Sequence, residues 1–160
     1  MGTLREARVV DAPIAAVWEV LADVSVLPEL SESTTDVVVD GPLREVGQRF
    51  RQTVRLAGRR WTSDWTVLEL DEPRRLVVDG SIAPGTGYRL AEDLEELDDG
   101  RTRLTVSATY ELPFGPLGRL AGRLGVERRV AEELAVVVRG VAARAEAAAD
   151  ATATRRRPGS

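Results

Sequence analysis

The stretch from Pro113 to Ala147 constrains the fold more than any other part of this chain. From Val126 onward its apolar residues fall at Val126, Val130, Leu134, Val137, Val141 and Ala145. Steps of four and three residues draw one stripe along an α-helix. Glu127, Arg128, Glu132, Arg139 and Glu146 occupy the opposite face. A helix with one apolar stripe needs a surface to bury it against, and the strands that precede it supply that surface. The expectation is a curved antiparallel sheet gripping one long helix, with room between them for a small apolar ligand.

Composition narrows the chemistry. At 160 residues the chain suits one domain with a substantial core, placed at residues 1–147, followed by a disordered, Arg-containing tail at 148–160. A net charge of -4 without a basic face argues against nucleic acid as a partner. No apolar run is long enough for stable membrane insertion, and the N-terminus carries no signal-peptide pattern, so a cytoplasmic location is expected. The chain has no cysteine and no histidine, and all 22 of its basic residues are arginine. These absences remove a Cys nucleophile, a His base, a Schiff-base Lys and any His or Cys metal ligand. No metal or organic cofactor is expected. Any chemistry must come from Asp, Glu, Tyr, Ser, Thr or Arg.

Thr3 to Asp11 reads as a first strand of ambiguous facing, because Leu4 and Val10 share a side with Glu6 and Arg8. Asp11-Ala12-Pro13 then opens a helix, with Asp11 as its cap and Pro13 in its first turn. Ile14, Val17, Trp18 and Leu21 form its stripe. Val24 to Leu30 is a second short helix or turn interrupted by Pro28, and Val37 to Val39 is a strand.

From Gly47 the alternation is clean enough to argue register. Phe50, Gln52, Val54 and Leu56 share one side, while Arg49, Arg51, Thr53 and Arg55 share the solvent side. A two-residue loop within the turn Ala57-Gly58-Arg59 puts Trp61, Ser63, Trp65 and Val67 on the inner side too. Counting across Asp71-Glu72-Pro73-Arg74 brings Leu76, Val78 and Ile82 inward. At Asp98-Asp99-Gly100 the loop length decides the facing. A three-residue loop with Gly100 left-handed sets Leu94 opposite Leu104, Leu90 opposite Ala108 and Tyr88 opposite Tyr110. It also turns Glu92 inward, opposite Val106. Hairpins alternate ends, so the loops at 57–60, 83–87 and 113–118 share one end, and the helices after the first strand are expected to close it. A mouth is expected there.

Strand, two short helices, about six meandering strands and one long helix is a distinctive order. It resembles the helix-grip α+β fold of the START-like, birch-pollen-allergen and polyketide cyclase/dehydrase superfamily. The local text agrees: Val10-Asp11-Ala12-Pro13 before Val17-Trp18-Glu19-Val20-Leu21, then Gly47-Gln48-Arg49-Phe50. Trp65-Thr66-Val67 running to Glu72-Pro73-Arg74, and Thr102 to Val106 running to Tyr110, belong to the same resemblance. It implies about seven strands around the C-terminal helix and a cavity for a hydrophobic molecule such as a lipid, quinone or polyketide. It implies no invariant catalytic set.

Glu92 and Tyr110 are the candidates for moving a proton. A carboxylate facing an apolar space pays for desolvation, so the pKa of Glu92 should rise. The plainer reading, and the favoured one, is a bulge of the strand at Glu92 or a pairing with a core Arg. Phe50, Val54, Leu90, Val106 and Ala108 are expected to line the ligand space. Gln52, Ser63 and Tyr88 add polar groups to it. Trp61 and Trp65 either stack on a flat ligand or pack the core. Leu117, Leu120 and Leu124 either cover the mouth or begin the helix stripe. Three functions stay open: a carrier of a hydrophobic small molecule, a cyclase or aromatase working in the same cavity, and a protein-interaction module. The outer sheet face shows no apolar patch, which ranks the last reading lowest.

Overall fold

The computed structural model describes residues 2–83, 85–111 and 116–157; the side chains of residues 82, 83, 116–124 and 126 lie outside that description. Seven strands form one antiparallel sheet: β1 (Gly2–Val10), β2 (Thr34–Val39), β3 (Arg49–Leu56), β4 (Arg59–Asp71), β5 (Arg75–Ala83), β6 (Thr86–Glu96) and β7 (Thr102–Glu111). Their order across the sheet is β1-β7-β6-β5-β4-β3-β2. Thus the meander closes by bringing the first strand beside the last. Between β1 and β2 lie α1 (Ile14–Ala22), a 3-10 turn at Val24–Val26 and α2 (Leu27–Leu30). After β7 comes α3 (Pro116–Arg156). This is the helix-grip α+β architecture.

Both decisive turns have the expected geometry. Ala57 and Gly58 form a two-residue loop with φ of 49° and 75°, the pair of positive values that a tight hairpin matching strand twist requires. Leu56 therefore pairs with Arg59, and Trp61, Ser63 and Trp65 face the same side as Val54, Gln52 and Phe50. Gly100 has φ +83°. The β6–β7 register sets Leu94 against Leu104, Glu92 against Val106, Leu90 against Ala108 and Tyr88 against Tyr110. The first strand is resolved by its register with β7: Leu4 pairs with Ala108, Glu6 with Val106, Arg8 with Leu104 and Val10 with Thr102. All four belong to the concave-face rows. Arg8 is nevertheless exposed, because β1 is an edge strand.

The helix α3 lies on β1, β7, α1 and α2. Among its described side chains, Val130, Leu134, Val138, Val141, Ala142 and Ala145 are buried. Val137 is half-buried against this cluster, and Val138 takes its place at the centre of the stripe. A straight helix of period 3.6 drifts relative to a four-three alternation, so the stripe is broader than a single line of residues. At 1.5 Å per residue α3 runs about 60 Å, roughly twice the length of the strands it lies on. Helix continues through Arg156, where a disordered tail was expected from Ala148. Ala148, Ala149, Ala151 and Ala153 favour helix strongly, and no breaker comes before Pro158.

Two features at the far end differ from the sequence reading. Pro13 itself takes the N-cap position of α1, and no side chain caps it. Asp11 sits two residues too early to reach the first free N–H groups. Instead its own N–H donates to Glu146 of α3 at 3.0 Å. The helical segment also does not simply close the hairpin end. It starts where β1 stops, pinned by Thr102 Oγ1 donating to the Ala12 carbonyl at 2.8 Å. It reaches the hairpin end only at Ser31–Thr34, where Thr34 pairs with Val54.

Candidate functional site

The registers sort the concave face into rows. The central row is aromatic. Phe50 and Trp65 stack with ring centroids 6.0 Å apart and planes 7° from parallel. Tyr88 meets Trp65 edge-on at 5.8 Å and 80°. The Trp65 indole lies directly over Gly80, where a Cβ would collide with the ring, so glycine is required there. All three rings are buried. One step towards the hairpin end, Gln52 pairs with Ser63; the next step pairs Val54 with Trp61. Gln52 Nε2 donates to Thr34 Oγ1 at 2.7 Å, and the Trp65 indole N–H donates to Ser63 Oγ at 3.2 Å. Gln52, Ser63 and Trp61 are half-buried.

In the other direction Val78, Leu90 and Ala108 form an apolar row, followed by Leu76, Glu92 and Val106. Glu92 has no hydrogen bond or ion pair among the described residues. Burial, and to a lesser degree the charge of Asp93, pushes its carboxyl up to about 8. No Arg partner offsets that penalty, and no bulge falls at this position of β6. With its carboxyl raised in this way, Glu92 is mainly in the acid form at neutral pH and is able to donate a hydrogen bond.

Tyr110 is not brought to Glu92. It shares the row of Tyr88, four residues along the strand, about 13 Å away by strand rise. Its ring packs over Gly2 of β1, leaving no room for a Cβ there. Leu90 is half-buried and Val106 and Ala108 are buried on this face. Leu117, Leu120 and Leu124 have side chains outside the described residues.

One participant escaped the sequence reading. Glu133 of α3 accepts hydrogen bonds from the hydroxyls of Ser31 and Ser33, the latter at 2.8 Å. Ser31 Oγ in turn accepts from Thr34 N–H at 3.0 Å. Burial, then the charge of Glu133, then Tyr110 hold the Tyr88 hydroxyl protonated well above the usual tyrosine range. Glu133 therefore carries negative charge to the edge of the aromatic row and ties α3 to the turn before β2. Its signal was present: it lies three residues after Val130 and four before Val137, on the apolar stripe itself.

Residues 1–146 match the family described as polyketide cyclase/dehydrase and lipid transport. The chain belongs to this family. None of the curated proteins matches it. Among solved structures, it resembles the Zhui aromatase/cyclase from Streptomyces sp. R1128, with a TM-score of 0.76 at 23% identity over 91% of this chain and 93% of that one. The protein TTHA0849 from Thermus thermophilus gives 0.72 at 22%, covering 92% and 99% of the two chains. The protein Ara h 8.0201 gives 0.69 at 15%, covering 90% and 97%. At such identities these likenesses establish the helix-grip fold of this polyketide cyclase/dehydrase family member and no more. Among the described residues, no helix is long and apolar enough to cross a membrane.

Proposed function

We propose that this protein binds a hydrophobic small molecule of lipid, quinone or polyketide type between the concave face of the sheet and α3. One observation carries the reading. Glu92 stands on the concave face with no hydrogen bond or ion pair among the described residues, and burial raises its carboxyl to about 8 although the residue is only half-buried. An unpaired polar side chain there supports a ligand space between sheet and helix. Trp61, Gln52, Ser63 and Leu90 share that intermediate accessibility on the same face, around buried aromatic rings. An apolar space with a few placed polar groups is the usual form of a small-molecule site. The bound molecule is expected to offer an acceptor, such as a carbonyl, to the protonated Glu92.

A second reading rests on the same carboxyl. A neutral acid at an apolar site gives up its proton to a developing enolate or alkoxide, as a cyclase or aromatase needs, and orientation by the cavity supplies the remainder. Titration with polyaromatic and acyl-chain compounds, read by tryptophan fluorescence, tests the first reading. Saturable quenching supports an internal site; its absence with every class of compound overturns it. Glu92→Gln then separates carrier from enzyme. The amide still donates a hydrogen bond but releases no proton, so a carrier keeps its affinity within a few-fold while an enzyme loses turnover by ~10²-fold or more.

A further inference from the structure

Arginines on the sheet are paired almost wherever an acid is in reach. Arg51 and Arg49 flank Asp64 at 3.1 and 3.8 Å, and Arg89 meets Asp79 at 3.0 Å. Arg75 bridges Glu69 and Asp93 at 2.9 and 2.6 Å, and Arg103 meets Glu95 at 2.8 Å. The β3–β4 hairpin tip breaks this pattern. Arg55 stands directly opposite Arg60 across the two strands, with Arg59 beside them. All three are exposed, and none has an ion-pair partner among the described residues. Glu32, in the turn whose Ser33 carbonyl accepts the Arg55 N–H, makes no ion pair with them. Like charges placed directly across a strand pair cost stability. Leu56 and Trp61, both half-buried, adjoin this cluster on the concave side. The tip therefore joins three uncompensated cations to an indole and a leucine at a tight two-residue turn.

Its position adds a direction. The tip lies at the end of the sheet where β5 turns into β6, where β7 stops and where α3 begins. That is the end at which the order of hairpins leads us to expect the mouth of the proposed ligand space. The protein as a whole is negative, at -4. A negatively charged surface would thus repel most of the molecule and attract this tip, which orients the approach.

We propose that the Arg55–Arg60 hairpin tip docks the protein on an anionic lipid bilayer, so that a membrane-dissolved ligand is collected at the adjoining mouth. The inference rests on the reading that the ligand is hydrophobic, since such a molecule is stored in membranes and not in water. One hairpin turn is too small for a stable protein partner, which buries roughly 800 Å² on each side. A bilayer needs only a few cations and an interfacial aromatic.

The test is co-flotation of the full chain with vesicles of phosphatidylcholine alone and of phosphatidylcholine with phosphatidylglycerol. Binding is expected only to the anionic vesicles and should fall as salt rises. Arg59→Gln should weaken it about fivefold, and Arg55→Gln/Arg59→Gln/Arg60→Gln about a hundredfold, at roughly 1 kcal/mol per arginine. Arg55→Gln should leave the urea midpoint unchanged or raise it, because a repulsion is removed; a purely structural role predicts the opposite. Equal binding to both vesicles, or undiminished binding by the triple variant, overturns the proposal. So does binding to polyglutamate without binding to vesicles, which would make the partner an acidic protein. Ligand quenching in vesicle-free buffer keeps the two readings apart. If the triple variant takes up ligand normally but ignores vesicles, docking and ligand binding are separate and both stand. If wild type takes up ligand but ignores vesicles, docking alone fails. If it binds vesicles but no ligand, docking stands and the interior site fails.

Discussion

Glu92→Gln at the centre of the concave face should change how stability depends on pH. In the folded protein the carboxyl titrates at about 8; in the unfolded chain it returns to the ordinary 4.5. Between those values the native state holds a proton that the unfolded state has released. Stability then falls as pH rises through this window and is flat with respect to this group outside it. At 1.36 kcal/mol per unit, the full shift sets a ceiling of about 5 kcal/mol. The residue keeps some accessible surface, and effective dielectrics at such sites are high, so roughly 2 kcal/mol is the expected loss. Glutamine stays neutral throughout. Wild type and variant should therefore be equally stable near pH 4, and the variant should be about 2 kcal/mol more stable near pH 9. Urea unfolding followed by far-UV circular dichroism measures the difference directly. Taking the difference cancels the carboxylates that titrate alike in both proteins, such as Asp99, which Arg101 holds below its usual range. Tyr88 loses its proton only at still higher pH and stays out of the window. Parallel pH slopes in the two proteins would refute the reasoning. A variant destabilised at every pH would instead mean that the carboxylate is ionised and paired.

Three further changes probe the framework around the site. Gly80→Ala drives a methyl into the Trp65 indole, which must retreat by about 1 Å from the Phe50–Trp65–Tyr88 stack; a loss of about 1–3 kcal/mol with altered near-UV dichroism is expected, and an unchanged spectrum would show that the contact is not made. Thr102→Val removes the buried hydrogen bond to the Ala12 carbonyl and should cost about 1 kcal/mol in urea unfolding, whereas a neutral result would mean that water replaces the hydroxyl. Glu133→Ala leaves the Ser31 and Ser33 hydroxyls without their acceptor and removes a charge that opposes ionisation of Tyr88. It should cost about 1–2 kcal/mol and lower the Tyr88 pKa, which ultraviolet titration reads; an unmoved Tyr88 would separate Glu133 from the aromatic row.

What could be read in the chain, and what could not, follows from the range over which each rule acts. Alternation and turn chemistry are local. They settle that the turn near Gly58 closes in two residues and that Asp98-Asp99-Gly100 closes in three, and those two lengths set the facing of β3 against β4 and of β6 against β7. The inward turn of Glu92 follows from that count alone. The edge strand was harder, because Leu4, Glu6, Arg8 and Val10 mix apolar and charged residues; only pairing with β7, about a hundred residues later in the chain, decides it. Glu133 failed for a related reason. Helical periodicity was traced through apolar residues, so a carboxylate on the stripe was passed over, although a charge there demands a partner. Its partners, Ser31 and Ser33, lie about a hundred residues earlier, in a turn whose position depends on the whole sheet having formed. The polar groups that distinguish this interior from a plain core are thus of two kinds. Glu92 is placed by strand register, which neighbours in sequence dictate. Glu133 is placed by the docking of α3 on the finished sheet. Disturbing α3 should therefore release the Ser31–Glu133 contact first and leave Glu92 facing inward, so the two polar groups are separable by mutation.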